Sequence, residues 1–395
     1  MKHLAILGST GSIGRQCLAV VEALAERFRV VALAAGKNVE TLAEQIERHE
    51  PDLVSVSDAT RAEELAARLR DKGIPLPAIH HGREGMLAVG THRQADLVVS
   101  AAVGVVGLEA TYEALRCGKQ VALSNKEVLV AAGELVMAAA ARTGRELLPV
   151  DSEHNAIHQC LRGGARGEVR KLVLTASGGP FRKTPIAQLA SVTPEQALAH
   201  PNWRMGNRIT IDSATMMNKG FEVIEAHWLF GMRPEQIEVV IHPQSTIHSL
   251  VEFVDGSILA QLGPTDMRMP IQYALTYPER VASNQVRLDW PRLKRLDFAK
   301  VSTRRFPCLR LAREALKKGG ASPCALNAAD EVAVGAFLER RLPFLGIPQV
   351  IERVLARTPR MSFEKMDDVL AADSEARRMA REEVERCAVA TAAAS

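Results

Sequence analysis

The chain has 395 residues, of which 47% are hydrophobic and 24% are charged. These proportions are typical of a globular protein, and the length exceeds what one compact core organises, so we expect two or three domains. The formal net charge of +4 is spread along the chain, and aromatic residues make up only 4%. Because nucleic-acid binding needs clustered cations and stacking aromatic rings, this composition argues against a nucleic-acid partner.

The cysteines and the N-terminus bear on the compartment. Six cysteines are scattered without a C-x-x-C pair or a regular spacing, which fits a reducing environment. The chain enters a strand-like run at Leu4 without the apolar core of a signal peptide, and no apolar run approaches the roughly 20 residues of a membrane span. We therefore expect a cytoplasmic protein without a membrane partner.

Short apolar runs alternate with helix-patterned stretches from residue 1 to about residue 150. This alternation predicts βαβ units around a parallel sheet, and hence a Rossmann-like N-terminal α/β domain. The predicted strands are 4–7, 30–34, 53–56, 97–101, 121–124 and 147–150.

The pattern changes after residue 150. Residues 151–286 are predicted to form an α+β catalytic domain, in which Asp255-Gly256 signals a two-residue hairpin. Its predicted strands are 172–175, 238–241, 249–254 and 257–262. A polar, weakly periodic stretch at 287–306 is interpreted as a linker, and 307–395 as a C-terminal helical bundle. The bundle's predicted helices are 309–317, 324–340, 347–356 and 373–389.

A glycine-rich turn follows the first predicted strand. Gly8-Ser9-Thr10-Gly11-Ser12-Ile13-Gly14 leads into a helical run, and its G-x-x-G-x-x-G spacing is a variant of the dinucleotide fingerprint. Glycines there let backbone N–H groups approach a pyrophosphate at a helix N-terminus. A purely structural glycine turn would give the same pattern, so context has to decide.

The second predicted strand supplies that context. NAD-preferring sites carry an acidic residue about 20 residues after the glycines, where it binds the ribose 2′-hydroxyl. Here the strand ends in Gly36-Lys37-Asn38, which offers a cation and an amide instead. A 2′-phosphate suits this environment, so NADP is favoured over NAD. The alternative is that Lys37 is an ordinary solvated lysine of the loop.

Asn125-Lys126-Glu127 follows the predicted strand 121–124, at the carboxyl edge of the sheet, where open α/β folds bind ligands. From that edge these three polar groups can reach nicotinamide and substrate. The tripeptide could equally cap the next helix.

Asp151-Ser152-Glu153 follows the last predicted strand of the first domain. Residues two apart in an extended backbone point to the same side, so the two carboxylates would converge. Oxygen ligands of this kind suit Mg²⁺ or Mn²⁺ rather than zinc. The alternative is that Asp151 only caps a helix over 154–161.

The segment 212–222 predicts a helix with two different faces, capped at its start by Ser213. Met217, Phe221, Ile224 and Trp228 form an apolar stripe, whereas Asn218, Glu222 and Glu225 share another face, with Lys219 beside them. Ser213, Asn218 and Lys219 offer donors for a phosphate, and Glu222 offers a metal ligand. A solvated amphipathic face is the competing interpretation.

A lid is predicted over about 178–206. Ser177 ends a strand and is followed by two glycines that can turn N–H groups towards an anion. A short helix is opened by the capping box of Thr193 and Gln196 and closed by His200-Pro201. His200 and Trp203 would then reach the substrate when the lid closes, although a histidine before proline is more often only a loop residue.

At these residues the sequence resembles the 1-deoxy-D-xylulose 5-phosphate reductoisomerase family, along nearly the whole chain. The matching phrases are 8–14, 124–127, 150–157, 177–182, 200–206, 211–223 and 241–248, and the run 212–222 is highly specific. The resemblance implies an NADP-dependent oxidoreductase and isomerase of the non-mevalonate isoprenoid pathway, typically a homodimer. It also implies the use of NADPH and a divalent metal, Mn²⁺ or Mg²⁺.

The resemblance carries three sets of site residues. It implies NADPH contacts from Thr10, Gly11, Ser12, Ile13, Gly36, Lys37, Asn38, Asn125, Glu127 and Gly206. It implies substrate contacts from Lys126, Ser152, Glu153, Ser177, His200, Ser213, Asn218, Lys219 and Glu222, to which Trp203 is added from the lid prediction. The metal would be bound by Asp151, Glu153 and Glu222, and the catalytic group would comprise these three carboxylates with Lys126 and His200.

The implied reaction converts 1-deoxy-D-xylulose 5-phosphate to 2-C-methyl-D-erythritol 4-phosphate. Two other functions compete with it. A plain NADP-dependent hydroxy-acid or polyol dehydrogenase needs the nucleotide domain but no three-carboxylate metal site. A non-catalytic NADPH-sensing protein needs neither metal nor substrate, and for it the polar face of 212–222 would only be solvated.

Overall fold

The computed structural model describes residues 1–102, 104–201, 203, 205–282 and 287–392, with backbone only for 388–392. It divides into two compact units. The first unit comprises Met1–Val128, Val136–Asn155 and Asp266–Gln285, and the second comprises Leu129–Leu135, Ala156–Thr265 and Val286–Ser395. The division into domains at 150 and 287–306 stays a prediction, and its boundary residue 286 lies outside the described residues. In the described part, no helix combines the length and apolar character that crossing a bilayer requires.

The first unit is built on a seven-stranded parallel sheet. Its strands are β1 (Lys2–Leu7), β2 (Phe28–Ala34), β3 (Leu53–Val56), β4 (Ala78–His81), β5 (Leu97–Ser100), β6 (Gln120–Leu123) and β7 (Leu147–Pro149). The order β4-β3-β2-β1-β5-β6-β7 reverses direction between β1 and β5. Such a reversal leaves a crevice at the carboxyl ends of the strands, which is the usual ligand site of this fold.

Helices connect these strands in the first 160 residues. They are α1 (Ser12–Ala23), α2 (Val39–His49), α3 (Ala59–Asp71), α4 (Gly82–Gly90), α5 (Leu108–Arg116), α6 (Glu127–Thr143) and α7 (Ser152–Cys160). Their apolar faces cover the sheet because parallel strands are apolar on both sides. Leu4, Ile6, Leu33, Val54 and Leu97 are all at or near complete burial in this core.

The six strands predicted for this region are confirmed, with bounds that differ by at most two residues. Strand β4 was missed. It lies at the edge of the sheet, pairs only with β3 among the described strands, and its residues Ala78, His80 and His81 are exposed. An edge strand with solvated faces has no apolar run for a sequence pattern to detect.

The second unit contains a five-stranded sheet. Its strands are β8 (Val169–Ala176), β9 (Ile237–Ile241), β10 (Ile247–Phe253), β11 (Ile258–Leu262) and β12 (Ala299–Lys300), in the order β11-β10-β8-β9-β12. Strands β8 and β9 are parallel, whereas the other pairs are antiparallel. The predicted mixed α+β architecture is confirmed.

The remaining helices follow in chain order. They are α8 (Pro194–Leu198), α9 (Asn207–Thr215), α10 (Met217–Phe230), α11 (Arg268–Thr276), α12 (Trp290–Leu293), α13 (Pro307–Lys318), α14 (Ser322–Leu338), α15 (Gly346–Arg357) and α16 (Met366–Ala392). Short 3-10 helices occupy Gly104–Gly107, Leu161–Gly163, Arg166–Glu168, Ile186–Ser191 and Pro234–Gln236. Helix α11 belongs to the first unit, where it packs against α1.

The C-terminal region is the predicted helical bundle, formed by α13 to α16. Helix α16 begins seven residues before the predicted 373 because Met366 and Val369 are buried in the bundle. The predicted linker 287–306 is more ordered than its composition indicates. It contains α12, and its strand β12 pairs with β9 at the edge of the sheet.

The predicted hairpin joins β10 and β11, but its loop has three residues rather than two. The N–H of Phe253 donates to the carbonyl of Ser257, and the N–H of Gly256 donates to the carbonyl of Phe253. Only Gly256 in this loop has a positive φ, at 87°. The arrangement is a turn followed by a left-handed glycine, the usual three-residue hairpin.

Substituting Gly256→Ala tests this turn. A Cβ added there meets nothing within 4 Å, so the cost is backbone strain alone, about 1–2 kcal/mol in the free energy of unfolding. Urea unfolding followed by circular dichroism measures it. The control Gly167→Ala adds a Cβ in equally open space without a positive φ, and equal losses in the two variants would contradict the assignment.

Candidate active site

The glycine-rich turn between β1 and α1 is shaped by close backbone contacts. A Cβ at Gly8 would lie 2.6 Å from the carbonyl oxygen of Ala101, and one at Gly14 would lie 2.3 Å from that of Gly8. Helix α1 has Gly11 at its N-cap, no capping side chain and no acidic residue in its first turn. Its first N–H groups are therefore available to an anion, as a pyrophosphate site requires.

The loop after β2 lies beside this turn, because the N–H groups of Gly8 and Ser9 both donate to the carbonyl of Ala34. Gly36, Lys37 and Asn38 are exposed there. The side chain of Asn38 accepts the N–H of Thr41 at 3.1 Å and so caps α2. Lys37 remains a solvent-facing cation, and both interpretations of its role still fit.

The Asn125-Lys126-Glu127 tripeptide has two functions in the structure. Asn125 is buried, accepts the N–H of Glu127 at the start of α6 at 3.1 Å and donates to the carbonyl of Gly104 at 2.8 Å. Lys126 instead contacts Asp151, which follows the neighbouring strand β7. Its Nζ lies 2.9 Å from Oδ2 of Asp151, and its side chain is 8% exposed.

Asp151 is the centre of a polar cluster in the first unit. Its Oδ1 accepts the N–H of Glu153 at 3.2 Å, and Nδ1 of His154 lies 3.4 Å from the same oxygen. Carboxylate oxygens of Asp151 and Glu153 lie within 4.8 Å of one another. The predicted convergence is confirmed, but its stated reason was wrong, because Glu153 lies in the first turn of α7 and not in extended backbone.

The sequence did not single out His154 as a site residue. It is completely buried, and its spacing of three residues from Asp151 on the same helix face was the available signal. Gln45 was also missed. Its Nε2 donates to the carbonyl of Ser9 at 2.9 Å, so a hydrogen bond from α2 stabilises the glycine-rich turn.

The second unit carries a buried carboxylate on α10. Oε2 of Glu222 lies 2.5 Å from Nζ of Lys219, and Oε1 accepts Nδ2 of Asn218 at 2.6 Å. Glu222 is 1% exposed and Lys219 4%. The competing interpretation of this face as solvated is therefore wrong, because both charges lie inside the protein.

Ser213 does not cap the helix that carries Glu222. It lies near the end of α9, and Met216 with a φ of 64° separates α9 from α10. The prediction of one helix failed here because a left-handed methionine leaves no glycine or proline signal in the sequence.

The four polar side chains predicted to bind phosphate lie on the two helices at this break and at the end of β8. We call them the phosphate cradle: Ser177, Ser213, Asn218 and Lys219. The loop after β8 reaches it through Gly179, where a Cβ would lie 2.7 Å from the carbonyl oxygen of Ser213. Gly178 and Gly179 both have positive φ, at 81° and 64°. The Oγ of Ser177 accepts the N–H of Gly179 at 3.2 Å. Such a turn beside two hydroxyls and a lysine suits an anion.

His200 lies at the other end of the predicted lid, after α8, whose capping box of Thr193 and Gln196 is confirmed. Its Nδ1 accepts the N–H of Trp203 at 3.0 Å, so the ring proton lies on Nε2, which faces Oγ of Ser177 at 3.1 Å. Burial lowers the pKa of His200 below its usual 6.5. The lid prediction also covers residues 202 and 204, which lie outside the described residues.

The predicted site residues are distributed over both units. Those of the first unit are Thr10, Gly11, Ser12, Ile13, Gly36, Lys37, Asn38, Asn125, Lys126, Glu127, Asp151, Ser152 and Glu153. Those of the second are Ser177, His200, Trp203, Gly206, Ser213, Asn218, Lys219 and Glu222. Gly206, predicted to contact NADPH, is exposed at the N-cap of α9.

A parallel sheet with an open helix N-terminus after its first strand, together with clustered carboxylates, defines the class. The protein is a dinucleotide-dependent oxidoreductase with oxygen ligands for a hard cation. Models of 1-deoxy-D-xylulose 5-phosphate reductoisomerase match residues 4–133, and models of its C-terminal domains match 147–230 and 262–379. The chain belongs to the 1-deoxy-D-xylulose 5-phosphate reductoisomerase family.

Similar proteins cover the full chain. The reductoisomerase of Solibacter usitatus is 51% identical over 385 residues, 97% of each chain. That of Symbiobacterium thermophilum is 54% identical over 383 residues, 97% of this chain and 98% of the relative. The Zymomonas mobilis enzyme in complex with NADPH has a TM-score of 0.91 at 43% identity, and the match covers 97% of this chain and 99% of that chain. DOX-P reductoisomerase in complex with NADPH, fosmidomycin and magnesium has a TM-score of 0.93 at 40% identity, covering 98% of both.

The ring of His200 provides a test of the site's electrostatics. We expect it to be neutral at pH 7, protonated on Nε2, with a pKa below 6.5, because a proton on Nδ1 would break the bond from the Trp203 N–H. Nitrogen-15 NMR of histidine-labelled protein measures both properties, and the His200→Gln variant assigns the resonance. A pKa at or above 6.5, or a proton on Nδ1, would contradict this geometry.

Proposed function

We propose that this protein converts 1-deoxy-D-xylulose 5-phosphate to 2-C-methyl-D-erythritol 4-phosphate, using NADPH and a divalent metal, as a step of non-mevalonate isoprenoid synthesis. The observation that carries the proposal is the match, along 97% of the chain, to enzymes named 1-deoxy-D-xylulose 5-phosphate reductoisomerase. A solved relative in complex with NADPH, fosmidomycin and magnesium supports both cofactors.

The nucleotide residues of the first unit fit NADPH. The first turn of α1 offers uncapped N–H groups to a pyrophosphate, and Gly8 and Gly14 leave no room for a side chain beneath it. Lys37 stands where an NAD site would have an acid, so its charge suits the 2′-phosphate. We assign Thr10, Gly11, Ser12, Ile13, Gly36, Lys37, Asn38, Asn125, Glu127 and Gly206 to NADPH.

The carboxylates fit a hard divalent cation, and we assign Asp151, Glu153 and Glu222 as its ligands. All three offer oxygen donors, as Mg²⁺ and Mn²⁺ prefer. Asp151 and Glu153 already converge, and two of the three carboxylates are paired with a lysine, Asp151 with Lys126 and Glu222 with Lys219. A cation would take over that compensation and leave both ammonium groups for the substrate.

The reaction rearranges the carbon skeleton of the ketose phosphate and then reduces the aldehyde. When bound, the metal supplies Lewis acidity at the ketone and its neighbouring hydroxyl, and NADPH supplies the hydride. Lys126 donates a hydrogen bond to a substrate oxygen, and Ser152 and Glu153 lie beside it on α7. Ser177, Ser213, Asn218 and Lys219 bind the phosphate, which is remote from the bonds that change, so its binding energy positions the reacting carbons.

His200 and Trp203 complete the substrate set. The neutral imidazole of His200 donates from Nε2 to Ser177 in this structure, and the same proton can be offered to a phosphate oxygen when the lid closes. Trp203 would then exclude water from the aldehyde. We further propose that the protein is a cytoplasmic homodimer, on the strength of the family resemblance and the six free cysteines.

The metal assignment is tested with Glu222→Gln. The amide keeps the size of the side chain but loses the anionic ligand, so turnover should fall at least a thousandfold while NADPH affinity stays within about twofold. Turnover is followed as metal-dependent loss of NADPH absorbance with 1-deoxy-D-xylulose 5-phosphate and Mn²⁺, and affinity by NADPH fluorescence.

The matched control is Glu252→Gln on β10, another buried glutamate that pairs with a lysine, Lys171 at 3.2 Å. It should keep nearly full turnover. An active Glu222→Gln protein would remove Glu222 from the metal site, and a wild-type protein without metal-dependent turnover would refute the proposed function.

The cofactor preference is tested with Lys37→Ala. Loss of the cation should raise KM for NADPH about tenfold and leave KM for NADH unchanged, because only NADPH carries the 2′-phosphate. Steady-state kinetics with each nucleotide measure the effect. Lys72→Ala removes another exposed lysine, at the C-cap of α3, and should change neither constant; an unaltered NADPH KM in Lys37→Ala would make Lys37 an ordinary surface lysine.

A further inference from the structure

A charged cluster joins α9 to the C-terminal bundle and contains none of the residues assigned to substrate or metal. It consists of Arg208 and Asp212 on α9 and of Asn327, Asp330 and Glu331 on α14. Arg208 donates from Nη2 to Oδ1 of Asn327 at 2.9 Å and from Nη1 to Oε2 of Glu331 at 3.0 Å. We call this group the Asp330 cluster.

Asp330 is the unusual member, because its side chain is completely buried. Neither of its oxygens meets a nitrogen or hydroxyl donor at hydrogen-bonding distance within the described part of the chain, and Arg208 Nη2 is 3.8 Å away. The carboxylate of Asp212 is its neighbour: Arg208 lies 3.8 Å from one oxygen of each group, and Asp212 raises the pKa of Asp330. Two carboxyl groups can share a hydrogen bond only when one carries a proton.

The proton belongs to Asp330. Its burial, followed by the negative charge of Asp212, raises the pKa of Asp330 well above its usual range. A neutral Asp330 can donate a hydrogen bond to the carboxylate of Asp212. Arg208 lies 3.8 Å from Asp212 Oδ2.

Asp212 connects this hydrogen bond to the phosphate cradle. It immediately precedes Ser213, whose carbonyl oxygen packs against Gly179. A rotation of the end of α9 would therefore displace the Ser213 hydroxyl together with the glycine loop that follows β8. Three residues later the chain passes through left-handed Met216 into the turn that carries Asn218 and Lys219. The position of Asp212 therefore controls three of the four cradle side chains.

We propose that Asp330 is a positioning residue for the phosphate cradle, which it holds in place through Asp212 without touching the substrate. This inference rests on the proposed function. It gives the C-terminal bundle a role in substrate affinity, because Asp330 is fixed to α14, and α14 packs against α15 and α16.

Other charged groups surround the pair and set its environment. On α14, Glu331 accepts from Arg208 and from Arg377 of α16, the latter at 2.9 Å. On α16, Asp373 is paired with Arg377 at 2.7 Å. On α13, Cys308 is buried, and its pKa is raised by that burial and by Asp330, so the thiol is neutral. Arg208 also faces Asp330 at 3.8 Å, and its charge offsets only part of the rise in the pKa of Asp330.

Two substitutions separate hydrogen-bond donation from packing. Asp330→Asn keeps a neutral donor of the same shape, whereas Asp330→Leu keeps the branching at Cγ, replaces the carboxyl oxygens by larger methyl groups and loses the donor. We expect Asp330→Leu to raise KM for 1-deoxy-D-xylulose 5-phosphate and the inhibition constant of inorganic phosphate together, each about tenfold, with kcat and KM for NADPH within about twofold. Asp330→Asn should stay within about twofold of wild type in all four constants.

Glu383→Gln is the structural control. Glu383 is a buried acid of α16 that pairs with Arg357 of α15 and Arg386 of α16. It should lower the thermal midpoint without changing KM for the substrate. Equal rises in KM for Glu383→Gln and Asp330→Leu would overturn the proposal, since any loosening of the bundle would then suffice.

Thermal stability as a function of pH tests the protonation directly. Below about pH 4 both the folded and the unfolded states hold the Asp330 proton, whereas above it only the folded state does. The wild type therefore loses stability relative to Asp330→Asn as the pH rises towards the folded-state pKa. We expect the midpoint of Asp330→Asn to exceed that of wild type by a margin that widens from about pH 5 to pH 8, measured by scanning calorimetry.

The outcomes are distinguishable. Absence of turnover by the wild type would count against the proposed function. A folded Asp330→Leu protein with wild-type KM would overturn only the positioning role, as would an Asp330→Asn protein as impaired as Asp330→Leu. A margin in thermal midpoint that does not change with pH would show that Asp330 is ionised in the folded protein, and would overturn the proposal as well.

Discussion

The carboxylate of Glu222 is almost completely buried, and the local structure of the second unit follows from the need to compensate it. Lys219 and Asn218, one turn earlier on α10, supply an ion pair and a hydrogen bond to its two oxygens. Removing one partner from such a pair costs about 3–5 kcal/mol, because an uncompensated charge is left inside the protein. These two contacts to Glu222 hold the side chains of Lys219 and Asn218 on the face of α10 that carries Glu222. The left-handed break at Met216 separates this turn from α9, near whose end Ser213 lies.

The first unit meets the same constraint in another way. Asp151 follows β7 and is compensated by Lys126, which follows the neighbouring strand β6. The carboxyl ends of adjacent parallel strands meet at one edge of the sheet, so a lysine and an aspartate that are 25 residues apart in the chain become partners. Each unit thus carries carboxylates already paired with lysine. Our account of the metal site is that a cation completes the compensation and frees the lysines for the substrate.

The sequence indicates the architecture well where apolar runs determine it. The central strands of the parallel sheet and the bundle helices are predictable because each buries a continuous apolar face. Strand β4 and strand β12 are not, since both are short edge strands with exposed residues. The break between α9 and α10 is also hidden, because Met216 adopts a left-handed conformation that only tertiary packing explains.

The candidate site is predictable in residue type but not in its pairing. Spacing indicates carboxylates at Asp151 and Glu153, and the family resemblance adds Glu222, yet the lysine partners depend on folding. Asp330 illustrates the limit, since an aspartate in a helix is ordinarily solvated and charged. Its neutrality arises from complete burial beside Asp212, which no local pattern conveys.

Anomalous diffraction from crystals grown with Mn²⁺ and NADPH tests the central claim most directly. The account predicts one strong manganese peak within about 2.0–2.4 Å of carboxylate oxygens of Asp151, Glu153 and Glu222, with Lys126 and Lys219 displaced from their present ion pairs. A peak bound by other residues, or one that leaves Glu222 paired only with Lys219, would contradict it.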